Sequence, residues 1–264
     1  MDIFVINLAS SKDRLESITA QLTAAHLDFT RISAIDGSSL SPAELNAHYQ
    51  PDLNKRIYRR PLSLGEIGCY LSHRNCWQQI VDNKLAMALI LEDDAALSDQ
   101  LSDVLSSIEQ LPIKWDIIKL CDPPKRKKHA STVDLNKKTR LCQYKKVPSR
   151  ATGYVVSQNG ALKLLQARNV FGRPVDDDMQ YYWEFNGEVF GIEPCPISNS
   201  QLATDSDIDS DRPRQSTKTI LSRVKAPLLR LDYEIKLLCH NRARKGLSDH
   251  YSRQFSSTQG VGRI

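Results

Sequence analysis

An apolar segment that ends in three consecutive acids places the strongest constraint on the fold of this chain. Residues 86–91 are all apolar, and Glu92, Asp93 and Asp94 follow them directly. A short apolar run of this kind predicts a strand that is buried on both faces, as in the parallel part of an α/β sheet. Ligands of such sheets bind beyond the carboxyl ends of the strands, which is where these acids lie.

The three acids predict a site for a divalent cation. Neighbouring carboxylates repel one another unless a cation lies among them. Mg²⁺ and Mn²⁺ prefer oxygen ligands and commonly share them with substrate phosphates. The alternative, from the same residues, is that the acids, Asp94 among them, only cap the next helix.

The first 37 residues predict a β-α-β unit of a nucleotide-binding sheet. A strand over 3–8 precedes an amphipathic helix, and a second strand over 29–35 ends at Asp36. This arrangement puts Asn7, Leu8 and Asp36 at strand ends. The first strand is not followed by a Gly-x-Gly-x-x-Gly sequence, and the chain has no phosphate-binding loop with a Gly-Lys pair, which disfavours dehydrogenases and P-loop enzymes. A metal would then have to hold the nucleotide.

A capping box predicts the start of the helix that leads into the acidic strand. Ser63 and Glu66 have the spacing at which each side chain caps the backbone amide of the other. An apolar stripe extends the predicted helix to about Val81, and Glu66 and His73 share a different face. His73 is either a core histidine with satisfied hydrogen bonds or a substrate contact. Glu66 is either a cap alone or a second polar group of the site.

A second acidic cluster, Asp176 to Asp178, precedes the aromatic residues Tyr181 to Trp183. Carboxylates accept hydrogen bonds from hydroxyls, and aromatic rings pack on the apolar faces of sugars, so the combination predicts sugar recognition. The alternative is an Asp-rich first helical turn that the helix dipole favours, and both can hold at once. Residues 188–197 are predicted to form the last strand, at a sheet edge because of Pro194 and Pro196.

Two segments are strongly basic. Residues 125–150 contain ten Lys or Arg and one acid, which predicts a solvated loop or hairpin, or alternatively a surface for an anionic acceptor. Nucleic-acid binding is disfavoured because Tyr144 is the only aromatic residue there. Residues 212–245 contain ten Lys or Arg, two acids and many apolar residues. They predict a helical extension that either lies on an anionic membrane or packs on the domain.

Length and composition fit one large α/β domain over 1–211 and a basic helical extension over 212–264. The six cysteines lack paired metal-ligand spacing, so we expect reduced thiols and no zinc site. The N-terminus begins directly in a strand, without a signal peptide, and no apolar run is long enough for a transmembrane helix. We therefore expect a cytoplasmic protein; the oligomeric state is left open.

Six segments, taken in order, resemble glycosyltransferase family 25, the lipooligosaccharide galactosyltransferase group. They extend from residue 3 to about residue 200 and comprise Val5–Leu8 with Arg14, Ala34–Gly37, Ser63–Cys69 with Leu71–His73, Leu89–Ala95, Thr152–Tyr154 with Gly160–Ala161, and Val175–Asp177. The triplet at 92–94 resembles the family's version of the Asp-x-Asp metal motif, with Glu in place of the first Asp.

The resemblance implies a glycosyltransferase A-type fold, which is a twisted mixed sheet between helices with a nucleotide-sugar site in the N-terminal half. It also implies metal-assisted, inverting transfer of a hexose, most often galactose from UDP-galactose, to a glycan. The implied acceptor is a core sugar of lipooligosaccharide or lipopolysaccharide, a glycolipid that would bring the protein to the inner face of the inner membrane. The alternative is a non-catalytic protein that binds a nucleotide-sugar or a glycan.

The resemblance also suggests roles for individual residues. An inverting enzyme needs a base that accepts the proton of the acceptor hydroxyl, and Asp176 is the first candidate, followed by Asp178. Mn²⁺ or Mg²⁺ is expected on Asp94 and Glu92, although which acids of the triplet contact the ion stays open. The residues expected around the nucleotide-sugar are Asn7, Leu8, Arg14, Asp36, Asp93, His73 and Glu66.

Overall fold

A computed structural model of the chain describes residues 1–121, 128–200, 220–244 and 246–247, with the backbone alone for 220–224. The strands are β1 (Asp2–Asn7), β2 (Thr30–Ser33), β3 (Met87–Glu92), β4 (Ala95–Leu97), β5 (Ile117–Lys119), β6 (His129–Asp134), β7 (Arg140–Tyr144), β8 (Gly153–Ser157), β9 (Val189–Glu193) and β10 (Ile197–Asn199). The helices are α1 (Lys12–Ala24), α2 (Pro42–His48), α3 (Pro51–Ile57), α4 (Leu64–Asp82), α5 (Leu101–Glu109), α6 (Gln158–Ala167), α7 (Val175–Asp178) and α8 (Ile220–Ala243).

Eight strands form one mixed sheet in the order β2-β1-β3-β8-β5-β9-β7-β6, and β4 pairs separately with β10. β1 is parallel to both β2 and β3, whereas β8 is antiparallel to β3 and β5. This mixed sheet with helices confirms the expected α/β fold class. Because β1, β2 and β3 are parallel and in register (Ile6 opposite Glu92, Asn7 opposite Ser33), their carboxyl ends meet at one edge.

The third strand is buried on both faces, as its sequence predicts. Leu89 and Leu91 belong to a core cluster with residues of α1 and α5, and Ala88 and Ile90 to a second cluster with residues of α4. All four side chains are fully buried. A strand between two cores has solvent access only at its end, so the acids that follow it lie at the surface of a cleft.

Helix α4 is held close to the ends of the parallel strands. Its predicted capping box is confirmed: the Ser63 amide donates to Glu66 Oε2 at 2.9 Å, and the Glu66 amide donates to Ser63 Oγ at 3.2 Å. A Cβ atom on Gly68 would lie 2.3 Å from the carbonyl oxygen of Ile35, so only glycine allows this approach. The close packing carries the next turn of the helix, including His73, to the edge of the sheet.

The prediction of an edge strand over 188–197 is wrong. β9 lies inside the sheet, parallel to β5 and antiparallel to β7. Pro194 and Pro196 follow its last residue, Glu193, and fall in the link to β10. They therefore remove no donor from the β9 ladder, and the usual restriction of proline to edges does not apply here.

The two basic segments have different structures. β6 and β7 form the predicted hairpin within the first segment. In the second, helix α8 packs on the domain through Tyr233 and Leu237, which are buried in the core. The expected domain boundary at 211/212 lies outside the described residues. None of the helices in the described ranges has both the length and the apolar character required to cross a bilayer.

Candidate active site

A cavity of about 230 Å³ opens at the carboxyl ends of β1, β2 and β3. Most of the residues expected around a nucleotide-sugar and a metal line it. These are Leu8, Arg14, Asp36, His73, Glu92, Asp93 and Asp94. The remaining four candidates, Asn7, Glu66, Asp176 and Asp178, are not among the residues that line this cavity. Seven of the predicted residues thus form part of the cavity wall, and the other four are not part of it.

Asp93 is oriented from behind by Asn7. The buried Asn7 amide donates to Asp93 Oδ2 at 2.7 Å and to the carbonyl oxygen of Ser11 at 2.9 Å. Arg31 Nε donates to Asn7 Oδ1 at 3.0 Å, which fixes the amide orientation. Arg14 Nη1 lies 3.7 Å from Asp93 Oδ1 and brings a positive charge to the cavity wall. Asn7 therefore positions a carboxylate in this structure.

Asp36 forms a compact turn at the end of β2. Its Oδ1 accepts hydrogen bonds from the Ser38 hydroxyl at 2.7 Å and from the Ser38 amide at 2.9 Å. These hydrogen bonds lower the pKa of the Asp36 carboxyl below its usual value. The exposed carboxylate is therefore ionised at neutral pH and can accept a ribose hydroxyl in the cavity.

Glu92 belongs to a chain of hydrogen bonds that extends into the core. His73 Nε2 lies 3.1 Å from Glu92 Oε1, His73 Nδ1 lies 3.0 Å from the Tyr154 hydroxyl, and Trp77 Nε1 donates to that hydroxyl at 2.9 Å. In one arrangement of protons the Tyr154 O–H donates to Nδ1 and Nε2 donates to Glu92. Both ring nitrogens of the buried His73 then have partners.

Glu92 is ionised although its side chain is only partly exposed. Burial opposes its charge, but the hydrogen bond from His73 and the positive charge of Lys119 outweigh that effect and lower the pKa of Glu92. Lys119 is fully buried on β5, where its Nζ donates to the Arg150 carbonyl oxygen and lies 5.7 Å from the Tyr154 ring centroid. It places a positive charge beneath the acids of the site.

Lys119 is a site residue that the sequence analysis missed. A signal was present, because a lysine interrupts the apolar sequence Ile117 to Leu120, and a charge in a buried strand requires compensation. Its charge acts on both Glu92 and Asp176: it helps to lower the pKa of Glu92 and partly opposes the rise in the pKa of Asp176. The lysine therefore links the two acidic clusters electrostatically.

Asp94 is the acid of the triplet that most needs a cation. Its Oδ1 is buried and has no hydrogen-bond partner among the described residues. Burial, together with the charges of Glu92 and Asp93, raises the pKa of Asp94 to about 7. An unsatisfied carboxylate oxygen between two other acids fits a hard divalent cation, because such an ion supplies the missing partner and offsets the repulsion.

Glu92 also belongs to a second group of potential ligands. Its Oε1, Cys69 Sγ and the His73 ring nitrogen all lie within 4.8 Å of one another. Burial and the surrounding acids raise the pKa of the Cys69 thiol well above its usual value, so the thiol stays protonated and is a poor ligand. The oxygen donors that fit Mg²⁺ or Mn²⁺ are therefore the carboxylates at 92–94, with Asp94 the least satisfied.

The second acidic cluster splits into three different environments. The Asp176 carboxyl is largely desolvated, and burial together with the charges of Asp177 and Glu92 raises its pKa. Asp177 Oδ2 instead accepts a hydrogen bond from the Tyr58 hydroxyl at 3.0 Å. Within the described residues, the Asp176 carboxylate accepts a single hydrogen bond, from the backbone amide of Asp177 to Oδ1 at 2.8 Å. Among the described residues, Asp176 is thus the member of the cluster whose side chain accepts the fewest hydrogen bonds.

Asp178 has a structural environment. Its Oδ2 accepts hydrogen bonds from the Tyr70 hydroxyl at 2.6 Å and from Arg168 Nε at 2.7 Å, and its Oδ1 accepts one from Arg173 Nη1 at 2.8 Å. All four side chains are buried. The carboxylate therefore joins α4, α6 and the segment before α7, and its oxygens are already occupied.

Glu66 is also occupied by contacts within the protein. Beyond its role in the capping box, it forms a two-pronged ion pair with Arg60, at 2.6 Å and 2.7 Å. The hydrogen bond to Glu66 raises the pKa of the Arg60 guanidinium. The pair anchors the segment between α3 and α4.

We expect Asp178→Asn to lower the free energy of unfolding by about 3 kcal/mol, because it leaves two buried arginines short of a compensating charge. Chemical denaturation with urea measures this change. Asp52→Asn is the matched control, since Asp52 is exposed and pairs with the exposed Lys55; it is expected to change stability by less than about 0.5 kcal/mol. Equal stability of the Asp178 variant and the wild type would contradict the structural role.

Comparison with known proteins identifies relatives. A family model described as Glycosyltransferase family 25 (LPS biosynthesis protein) matches residues 1–179. Procollagen galactosyltransferase 2 of Homo sapiens is 31% identical over 229 residues, covering 74% of this chain and 34% of that protein. Procollagen galactosyltransferase 1 of Danio rerio is 27% identical over 235 residues, covering 80% of this chain and 38% of that protein.

A further relative is named as an inactive member of the family. Inactive glycosyltransferase 25 family member 3 of Homo sapiens is 31% identical over 126 residues, covering 45% of this chain and 21% of that protein. The chain thus spans no more than about a third of the length of the human relatives it matches.

Proposed function

This chain belongs to glycosyltransferase family 25, and from that premise we propose that it is an inverting glycosyltransferase that moves galactose from UDP-galactose to a hydroxyl of a glycan acceptor. The single observation that carries the proposal is the Asp94 carboxylate. It has a buried oxygen without a partner, in a cavity at the ends of three parallel strands. Such a position suits a cation that accompanies a nucleotide diphosphate.

The donor would occupy the 230 Å³ cavity. Leu8 offers an apolar contact to the uracil, and Asp36 accepts hydrogen bonds from ribose hydroxyls. Arg14, which faces Asp93, contributes positive charge near the phosphates. Asp94, with Asp93 or Glu92, would hold Mn²⁺ or Mg²⁺. A bound divalent ion supplies Lewis-acid stabilisation of the negative charge on the leaving UDP.

The base in this proposal is Asp176. It removes the proton from the acceptor hydroxyl as the oxygen attacks the anomeric carbon on the face opposite UDP, which inverts the configuration. Its raised pKa makes its carboxylate a better proton acceptor than an ordinary surface aspartate. Asp178 is the weaker candidate, because two arginines and a tyrosine already bind its oxygens.

The acceptor in this proposal is a core sugar of lipooligosaccharide or lipopolysaccharide, at the inner face of the inner membrane. Helix α8 supports this proposed acceptor and its location at a membrane. Leu228, Leu231, Ile235 and Leu238 recur at helical spacing and are each more than half exposed. The same helix carries several Lys and Arg residues. An apolar face on a basic helix suits contact with the surface of an anionic membrane that holds a glycolipid.

A second candidate function is binding of a nucleotide-sugar without transfer. The relative named as inactive favours it, since that protein shares a similar level of identity with this chain. A transferase and a binding protein would both bind UDP in the presence of a metal. Only a transferase would release UDP from a sugar donor.

The test is release of UDP from a panel of donors by the full chain, with and without Mn²⁺. UDP-galactose, UDP-glucose and UDP-N-acetylglucosamine are each offered alone and with simple sugars as acceptors. We expect slow release from UDP-galactose that depends on Mn²⁺ and is faster with one acceptor. Metal-dependent UDP binding without release from any donor would favour the binding function. Absence of both binding and release would contradict the site itself.

A further inference from the structure

A second cavity, of about 570 Å³, lies between α3, the segment around α7 and helix α8. It is distinct from the donor cavity, since the two share no lining residue. Three tyrosines, Tyr58, Tyr181 and Tyr233, contribute aromatic surface to its wall. Rings of this kind pack against the apolar faces of sugars, so the cavity has the character of a carbohydrate site.

The second cavity borders the short helix α7, which carries the proposed base. Asp177 lines it and accepts a hydrogen bond from the Tyr58 hydroxyl at 3.0 Å, and Asp176 is the preceding residue of the same helix. Asp176 itself is not among the lining residues of either cavity. The wall of the second cavity is thus adjacent in sequence to the proposed base, which suits this cavity to present an acceptor hydroxyl.

The wall of the second cavity carries more positive than negative charge. Asp177 is the one acid among its lining residues, against four cationic side chains. Arg173 is buried in ion pairs with Asp178 and Glu184, and Lys146 pairs with Glu234 at 3.0 Å. Two of the four cations are thus already compensated by acids outside the lining.

The other two cations, Arg59 and Arg230, are exposed. Neither forms an ion pair with any residue in the described ranges; Arg59 lies over the Tyr58 ring at 5.7 Å from its centroid. Arg59 lies in the segment that follows α3 and Arg230 in the middle of α8, and both line the same cavity. Two guanidinium groups in the wall of one cavity offer hydrogen-bond donors and positive charge for a carboxylate or a phosphate, which arginine binds in a bidentate geometry.

We propose that the second cavity binds the acceptor, and that the acceptor is a sugar that carries a phosphate or a carboxylate group bound by Arg59 and Arg230. The proposal rests on the proposed transferase function, because it assigns the partner of that reaction. Helix α8 then completes the acceptor site, because it supplies Arg230 and Tyr233, which lie beyond the residues matched by the family model.

The experiment measures binding of three matched sugars to the full chain by ligand-observed NMR: D-glucose, D-glucose 6-phosphate and D-glucuronate. We expect at least one of the two anionic sugars to bind about tenfold or more tightly than D-glucose. The double variant Arg59→Gln with Arg230→Gln should lose that preference. The matched control is Lys236→Gln, on the same helix, where the lysine pairs with Asp232 and lines neither cavity; it should keep the preference.

Titration with UDP and Mn²⁺, carried out on the same samples, separates this proposal from the proposed function. Unchanged UDP affinity in the double variant supports an acceptor role for the two arginines, whereas loss of UDP affinity would assign them to the donor and overturn the proposal. Equal binding of all three sugars, with normal UDP binding, would overturn the acceptor proposal alone. A preference for one anionic sugar over the other supports it and identifies the anionic group.

Discussion

Replacing Asp176 by Asn is expected to lower the rate of transfer by about a hundredfold or more, while UDP binding in the presence of Mn²⁺ stays close to that of the wild type. An amide cannot accept the proton of the acceptor hydroxyl, and general-base catalysis contributes about 10²- to 10⁴-fold. Asp176 does not line the donor cavity, so the substitution leaves the predicted nucleotide contacts in place. Transfer rate and UDP affinity are measured on the same preparation.

The pH profile provides a second readout of the same residue. Burial and two neighbouring acids raise the pKa of Asp176, so kcat/KM of the wild type should fall on the acid side at a higher pH than for an ordinary aspartate. Asp52→Asn, a change on the exposed surface of α3, is the control and should alter neither rate nor profile. Normal turnover by the Asp176 variant would show that the base lies elsewhere.

The parts of the fold that the sequence predicts are those with local causes. The strand at 86–91 is predictable because its residues are uniformly apolar and must be buried on both faces. The start of α4 is predictable because Ser63 and Glu66 satisfy each other's amides three residues apart. The position of Glu92, Asp93 and Asp94 at the end of a strand follows from the same local information.

The order of the strands was not predictable in the same way. The prolines at 194 and 196 suggested an edge, but strand order depends on pairing between residues far apart in sequence, such as Ile118 with Phe190. A short stretch of sequence carries no information about which partner a strand will find. The insertion of β9 between β5 and β7 is a property of the whole chain.

In the candidate site, too, some features follow from local sequence and others depend on contacts between distant residues. Asp176, Asp177 and Asp178 are chemically identical in the sequence, yet only long-range contacts distinguish them. Tyr70, which is 108 positions away, binds Asp178, and Tyr58, which is 119 positions away, binds Asp177. The sequence analysis therefore found the cluster without separating a structural acid from a candidate base.

Replacing Asp94 by Asn is expected to lower transfer at saturating Mn²⁺ by about a hundredfold or more, because the proposed metal contributes several kcal/mol of charge stabilisation. A structural readout that does not require activity is thermal unfolding. In the wild type, Mn²⁺ at pH 8 should raise the melting temperature, and in the variant it should have a much smaller effect. The increase in the wild type should shrink at pH 5.5, where protons compete for a carboxyl with a pKa of about 7.

Without metal, the same substitution should stabilise the protein at high pH, and the sign follows from the pKa. The Asp94 carboxyl ionises at about pH 7 in the folded chain and near pH 4 in the unfolded chain. The unfolded chain therefore loses its proton first, and this group reduces stability progressively between about pH 4 and pH 7 and fully above that range. Asn removes the penalty, so the metal-free variant should melt above the wild type at pH 8, by about 2–4 °C for each 1 kcal/mol of penalty removed, and should show no such gain at pH 4. A wild type that is the more stable of the two at pH 8, and that Mn²⁺ does not stabilise, would contradict a cation site at Asp94.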